Sequence, residues 1–217
     1  MCGRFVSIIK ENKLKKIFNI SKVNNLVKDS YNIAPSQNVN LIFNYSNELI
    51  LDSMKWGYSF FNKQTNNQQY VINSRIETIN EKILFKDSFI KRRCIVIANG
   101  YYEWKKINNN KIPFLISIPV LETMFFAAIW RVENINNNRV PVCCILTKEA
   151  NNRIKSIHGR MPIIYSANDA LTFLKEKETK TENSNLENDL DYYTVSKKIN
   201  NPQNNSIDCV EYFKYSY

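Results

Sequence analysis

The chain has 217 residues, 44% of them hydrophobic and 23% charged, which suits a folded protein with an ample core, as one substantial domain or two small ones. No basic-then-apolar leader opens it and no apolar run is long enough to span a bilayer, so a cytoplasmic location and no membrane partner are expected. Lys and Arg outnumber Asp and Glu by 30 to 20, a net +10 that fits a polyanionic partner such as nucleic acid, although a lysine- and asparagine-rich coding bias would give the same count.

The opening residues, Met1-Cys2-Gly3-Arg4-Phe5, carry a small side chain after the initiator, so Met1 is expected to be removed and Cys2 to begin the mature protein. An N-terminal cysteine holds an amine and a thiol that can attack the same aldehyde carbon, first as an imine and then as a closed thiazolidine ring. With a thiol pKa of about 8.5 and an α-amine pKa of about 7.7–8.0, both nucleophiles need only modest help near neutral pH.

Apolar residues at helical spacing among lysines predict an amphipathic helix over 10–19. Tyr31 to Ser36 reads as extended or turn, because Pro35 disfavours helix at Ala34. Residues 39–45 and 48–56 read as a hairpin with a Ser-Asn turn, running into Trp56-Gly57-Tyr58. The polar stretch from 61 to 69 reads as a surface loop. A short strand through Asn73 and Arg75 follows, and Thr78 to Glu81 matches a capping box for a helix over 79–86. Between 92 and 104 an Asn99-Gly100 step separates two β-rich runs and predicts a turn.

Further strands are expected at 112–118, 123–131 and 139–147, with asparagine-rich turns between them and Cys143 and Cys144 on opposite faces of the last. Residues 149–157 read as helix, 162–165 as strand, and Ser166 as the cap of another helix. Residues 175–190 carry mixed charge with few apolar residues and read as a flexible insertion. A last strand is expected near 191–196. Five cysteines without a C-x-x-C pair argue against a disulfide framework, and with one histidine in the chain no metal or other cofactor is expected. Many strands, few helices and no βαβ alternation predict a single α+β domain over 1–217, built on a mostly antiparallel, partly closed, barrel-like sheet with flanking helices.

Six blocks in order, Met1-Cys2-Gly3-Arg4-Phe5, Tyr31-Asn32-Ile33-Ala34-Pro35, Trp56-Gly57, Asn73-Ser74-Arg75-Ile76-Glu77-Thr78, Asn99-Gly100-Tyr101-Tyr102-Glu103-Trp104 and Ile157-His158-Gly159-Arg160-Met161-Pro162, resemble the SOS-response-associated peptidase (SRAP) family of abasic-site processing proteins. The resemblance implies a protein that binds single-stranded DNA, or single-strand to double-strand junctions, and crosslinks to an abasic site through Cys2, shielding the lesion during repair. It implies Asn73 and Glu103 around the reacting amine and sugar, and His158 managing protons. Arg4, Arg75 and Arg160 would hold phosphates, with Asn32, Trp56, Phe60 and Phe61 among the DNA contacts. Self-processing and lyase-like activity in a single turnover are implied too, and a protein consumed in one turnover needs no partner subunit, so a monomer is expected.

The chemistry makes the same demands on its own terms. Opening the abasic sugar and forming an imine needs an acid/base pair. Glu103, among Tyr101, Tyr102 and Trp104, is the carboxylate with the most apolar neighbours in sequence. His158 is the one imidazole, and Asn73 can orient an amine without protonating it. Blander roles remain open for each: a lysine partner for Glu103, a helix cap for His158, a turn for Asn73, surface charge for the arginines.

Two positions depart from the family pattern. Ser59-Phe60-Phe61-Asn62 stands where proline and then tryptophan are usual, so Phe60 or Phe61 must supply any wedge against an exposed base. Asn99 stands where aspartate is usual. Two other functional classes compete: an N-terminal-nucleophile amidohydrolase with Cys2 attacking an acyl carbon, and a non-catalytic single-strand binding module.

Overall fold

Three tight hairpins build most of the architecture, and asparagine makes them possible. The turn pairs Ser46-Asn47 (φ 52° and 67°), Asn108-Asn109 (45° and 62°) and Asn136-Asn137 (51° and 64°) are all left-handed at both central positions. That is the geometry a two-residue hairpin needs to match strand twist, and asparagine tolerates it better than other residues with a Cβ. The computed structural model describes residues 2–176 and 185–215.

Strands Asn38–Tyr45, Glu48–Trp56, Arg93–Ala98, Met124–Ile135 and Asn138–Glu149 form a ring. Four of its seams are antiparallel, and the fifth closes it by parallel pairing of Val142 with Lys55 and Cys143 with Trp56. The expected α+β class with a barrel-like, mostly antiparallel sheet is therefore what the chain adopts. A second sheet, in the order Asp191–Thr194, Asn110–Ser117, Gly100–Ile107, Phe5–Ser7, Ser30–Ile33, is antiparallel throughout.

Barrel strands are buried on both faces, which is why they read as continuous apolar runs. Along Arg93–Ala98, Cys94, Val96 and Ala98 join one core with Phe5, Trp56, Tyr101 and Phe126, while Ile95 and Ile97 join another with Leu14, Phe18, Phe89 and Phe173. The second core is the outer face of the barrel, covered by helices α1 (Glu11–Phe18), α2 (Ile83–Lys91) and α3 (Ala167–Lys175). Cys143 and Cys144 divide between the two cores as expected, and all five cysteines are free and buried. Ser166 caps α3 reciprocally with Asp169.

Four local expectations need correction. The stretch read as a loop is a hairpin of strands Tyr58–Asn62 and Asn67–Val71 with Asn66 left-handed at its turn. The helix placed at 79–86 runs Ile83–Lys91, because Ile76–Thr78 forms a 3-10 turn that drives Ile79 into the core, and Thr78 caps nothing. Residues 149–157 are not a helix: the strand continues to Glu149, and the Asn151 side chain then accepts from the backbone N–H groups of Arg153 and Ile154, competing with helical bonding. Asn99-Gly100 is not a hairpin turn but the corner where the chain leaves the barrel for the second sheet. Asn99 Oδ1 accepts from Ile8 N–H at 2.6 Å, and a Cβ on Gly100 would lie 2.9 Å from Leu115. Residues 177–184, the centre of the expected insertion, lie outside the described residues, whereas Asn185–Asp189 is a 3-10 turn with Glu187 buried.

Candidate active site

The last residues of strand Asn138–Glu149 carry the site. On one side Ile145, Leu146 and Thr147 pair in parallel with Asn73, Ser74 and Arg75. On the other, Thr147, Lys148 and Glu149 pair with Pro162, Met161 and Arg160, the continuation of the turn that presents His158. Strand Phe5–Ser7 enters beside Gly100–Ile107, with Tyr102 N–H donating to Arg4 O at 2.9 Å, and this brings Cys2 toward Glu103. Four side chains far apart in sequence thus converge.

Cys2 and Tyr101 are fully buried, and Glu103 and Asn73 are nearly so. Burial, and then the charge of Glu103, pushes the Cys2 thiol well above its ordinary pKa. The Tyr101 hydroxyl is pushed up by burial, Cys2 and Glu103 together, so the three form one electrostatic cluster. Asn73 Nδ2 donates to Cys2 O at 2.8 Å, while its buried Oδ1 has no hydrogen-bond partner among the described residues. His158 Nδ1 lies 3.9 Å from Glu103 Oε1 and 3.0 Å from the Arg160 N–H. Nδ1 also lies 3.1 Å from Arg160 O, so the backbone of Arg160 fixes the ring's orientation. Glu103 and His158 open onto a cavity of about 420 Å³ completed by Trp104, Lys111 and Asn200, with the Trp104 indole N–H held by Asn200 Oδ1 at 2.8 Å. Together the groups offer a covered nucleophile, a carboxylate and imidazole for proton transfer, and an aromatic and cationic rim.

The other expected contacts divide. Arg75 is exposed and its side chain makes no hydrogen bond or ion pair among the described residues; Phe61 is 57% exposed and Phe60 half-buried on the hairpin. Arg160 is bidentate to Glu77 at 2.7 and 2.9 Å and holds that carboxyl below its usual range, so a phosphate would have to displace Glu77. Arg4 Nη1 donates to Asn32 Oδ1 and Ile199 O, and Asn32 Nδ2 reaches the carbonyls of Ile199, Asn201 and Asn204. Asn32, buried, thus clasps the segment 199–204 against strand Ser30–Ile33. Trp56 is fully buried, and its indole N–H donates to Ile72 O at 2.9 Å.

Sequence reasoning passed over Tyr101, Trp104, Lys111 and Asn200. The signal for Tyr101 was present, since residues two apart on a strand share a face and Glu103 was already singled out. Lys111 and Asn200 reach the cavity only through tertiary pairing. Among the described residues, no group of three or more His, Cys, Asp or Glu side chains is placed to hold a metal, and no helix is long and apolar enough to cross a membrane.

The family model described as SOS response associated peptidase (SRAP) matches residues 1–202. The chain belongs to the SRAP family. Among SRAP relatives, the abasic site processing protein YoqW of Bacillus subtilis is 32% identical, covering 97% of this chain and 99% of its own length. The abasic site processing protein YedK of Escherichia coli is 27% identical over 83% of each chain. HMCES of Xenopus tropicalis, also named an abasic site processing protein, is 28% identical over 83% of this chain and 65% of its own. The fold is shared with a crystal structure of a Bacteroides thetaiotaomicron protein, 20% identical with a TM-score of 0.77, covering 97% of this SRAP chain and all of that one.

Proposed function

We propose that this SRAP protein processes abasic sites in single-stranded DNA, or at single-strand to double-strand junctions, by closing a thiazolidine between Cys2 and the opened sugar. The observation that carries the reading is the convergence of Cys2, Asn73, Glu103 and His158, with Glu103 and His158 on the wall of a cavity and Cys2 and Asn73 covered behind it. The names of its relatives support the lesion as substrate.

Removal of Met1 turns the Cys2 amide nitrogen into an amine, for which Asn73 Oδ1, without a partner among the described residues, is an acceptor in waiting. Glu103 and His158 move the proton from the sugar's C1′ hydroxyl to its ring oxygen, opening the aldehyde. The amine then attacks C1′, and the hydroxyl leaves as water to give an imine. Finally the thiol adds to C1′ as its proton passes to nitrogen. The balance is aldehyde plus aminothiol giving ring plus one water, and each protein molecule is consumed once. A thiol that burial keeps protonated suits this order, because it stays out of competing reactions until the imine forms.

The test is incubation with an oligonucleotide carrying one abasic site, run on a denaturing gel with Cys2→Ala and Cys2→Ser alongside. A heat-stable adduct lost in both variants supports the reading. Peptide-bond hydrolysis that survives in Cys2→Ser, without any adduct in the wild type, would replace it with amidohydrolase chemistry.

A further inference from the structure

A second basic concavity lies at the end of the barrel where the Asn38–Tyr45 and Glu48–Trp56 hairpin turns. Its volume is about 610 Å³; Lys91, Arg92, Arg131 and Arg139 line it, and no acidic side chain does. Tyr45, 60% exposed, and Val132, 42% exposed, stand at its surface. Arg139 and Ile145 are six residues apart on one strand, and Ile145 pairs with Asn73, so the concavity is about 20 Å from the reactive centre at ordinary strand rise. It is not part of the cavity at Glu103.

The charges do not cancel locally. Lys91 and Arg92 share one carboxylate, Asp87, and Arg131 is held by Glu133, which leaves four cations against two carboxylates. Lys91 and Arg92 also sit at the C-terminal end of α2, where cations offset the helix dipole. Arg139 has no such explanation: it lies on a barrel strand beside the Asn136-Asn137 turn, and its side chain makes no hydrogen bond or ion pair among the described residues. Two further donors in the wall, Trp130 Nε1 and Arg92 Nε, are covered and without acceptors among the described residues. Uncancelled positive charge and an exposed aromatic ring are the features that hold single-stranded nucleic acid, the backbone by charge and a base by stacking.

We propose that this groove binds the phosphodiester backbone of single-stranded DNA flanking the lesion, with Arg139 on a phosphate and Tyr45 under a base. The inference rests on the proposed abasic-site function, but its test does not pass through the crosslink. Fluorescence anisotropy with undamaged single strands of about 8 and about 30 nucleotides, titrated over salt, would compare wild type, Arg139→Glu, Tyr45→Ala and the charge control Lys16→Glu, an exposed lysine of α1 outside the groove. For the long strand we expect Arg139→Glu to weaken binding about tenfold and to lower the salt slope by about one, and Tyr45→Ala to weaken it about fivefold or more without changing the slope. Lys16→Glu should change neither.

Equal affinity and slope in wild type and Arg139→Glu on the long strand would overturn the groove while leaving Cys2 chemistry intact. Equal losses for Arg139→Glu and Lys16→Glu on either strand would overturn it too, because the effect would then follow net charge and not the groove. A wild type that forms no abasic adduct, yet shows the expected Arg139 effect, would instead sink the reading of Cys2 and keep the groove.

Discussion

Two glutamates are buried in this protein to nearly the same degree, Glu103 at 3% exposed and Glu187 at 5%, yet they face different partners. Glu187 meets Lys148 at 2.6 Å, both side chains covered, and its backbone carbonyl accepts from Asn151 Nδ2 at 2.7 Å. Glu103 meets an imidazole at 3.9 Å on the wall of a cavity. A lysine is a fixed cation at working pH, so the Glu187 pair can only hold; an imidazole can give and take a proton, so the Glu103 pair can work. Burial alone does not mark a catalytic carboxylate. What sets Glu103 apart is an imidazole partner and an opening large enough for a substrate.

The largest effect expected from breaking the comparison is on Glu103. Glu103→Gln keeps the shape and removes the charge, and adduct formation should slow by about 10²–10⁴-fold while thermal unfolding barely moves. A rate within about threefold of wild type would reduce Glu103 to a packing residue. The converse holds for Lys148→Met, which strands a buried carboxylate. It should cost about 3–5 kcal/mol in urea unfolding at pH 7 while leaving the adduct rate of the folded protein in place.

That loss should shrink in acid. Burial raises the Glu187 pKa, so the folded state binds its proton more tightly than the unfolded chain. The associated stability is present below the unfolded carboxylate pKa and lost as pH rises through the folded one. Without Lys148 the folded pKa rises further, so the deficit of the variant should be smaller at pH 4 than at pH 7; an equal deficit at both would contradict the assignment.

Two smaller effects sharpen the site side. Asn73→Ala removes the donor to Cys2 O and should cost about 1–3 kcal/mol of stability, together with a slower approach to adduct measured by quenched-flow gels. Phe61→Ala, on the exposed hairpin, should change stability by less than about 0.5 kcal/mol. If Phe61 stacks on a base, the same variant should weaken single-strand binding about fivefold or more by anisotropy.

The sequence made the fold class, the first hairpin, the asparagine turns and the Ser166 cap legible, because each depends on a few adjacent residues. Barrel closure was not legible: it depends on Val142 and Cys143 finding Lys55 and Trp56, a pairing with no local signature. Asn99-Gly100 misled for a related reason, since the same dipeptide serves a hairpin or a corner and only the packing of Gly100 under Leu115 decides. At the site, the motifs nominated Cys2, Asn73, Glu103 and His158, and the fold brings them together. They also nominated Trp56 and Asn32, whose burial was not legible, because nearness in sequence to a reactive residue does not reveal which face of the strand a side chain occupies.

The most direct test of the central claim is the intact mass of wild-type protein, first shown by mass to lack Met1, after incubation with a single-stranded oligonucleotide bearing one abasic site. The account predicts a species equal to protein plus DNA less one water, mapped by digestion to Cys2, and none with undamaged DNA or with protein that retains Met1. An equally abundant adduct from protein that retains Met1, or one mapped to a lysine, would contradict it.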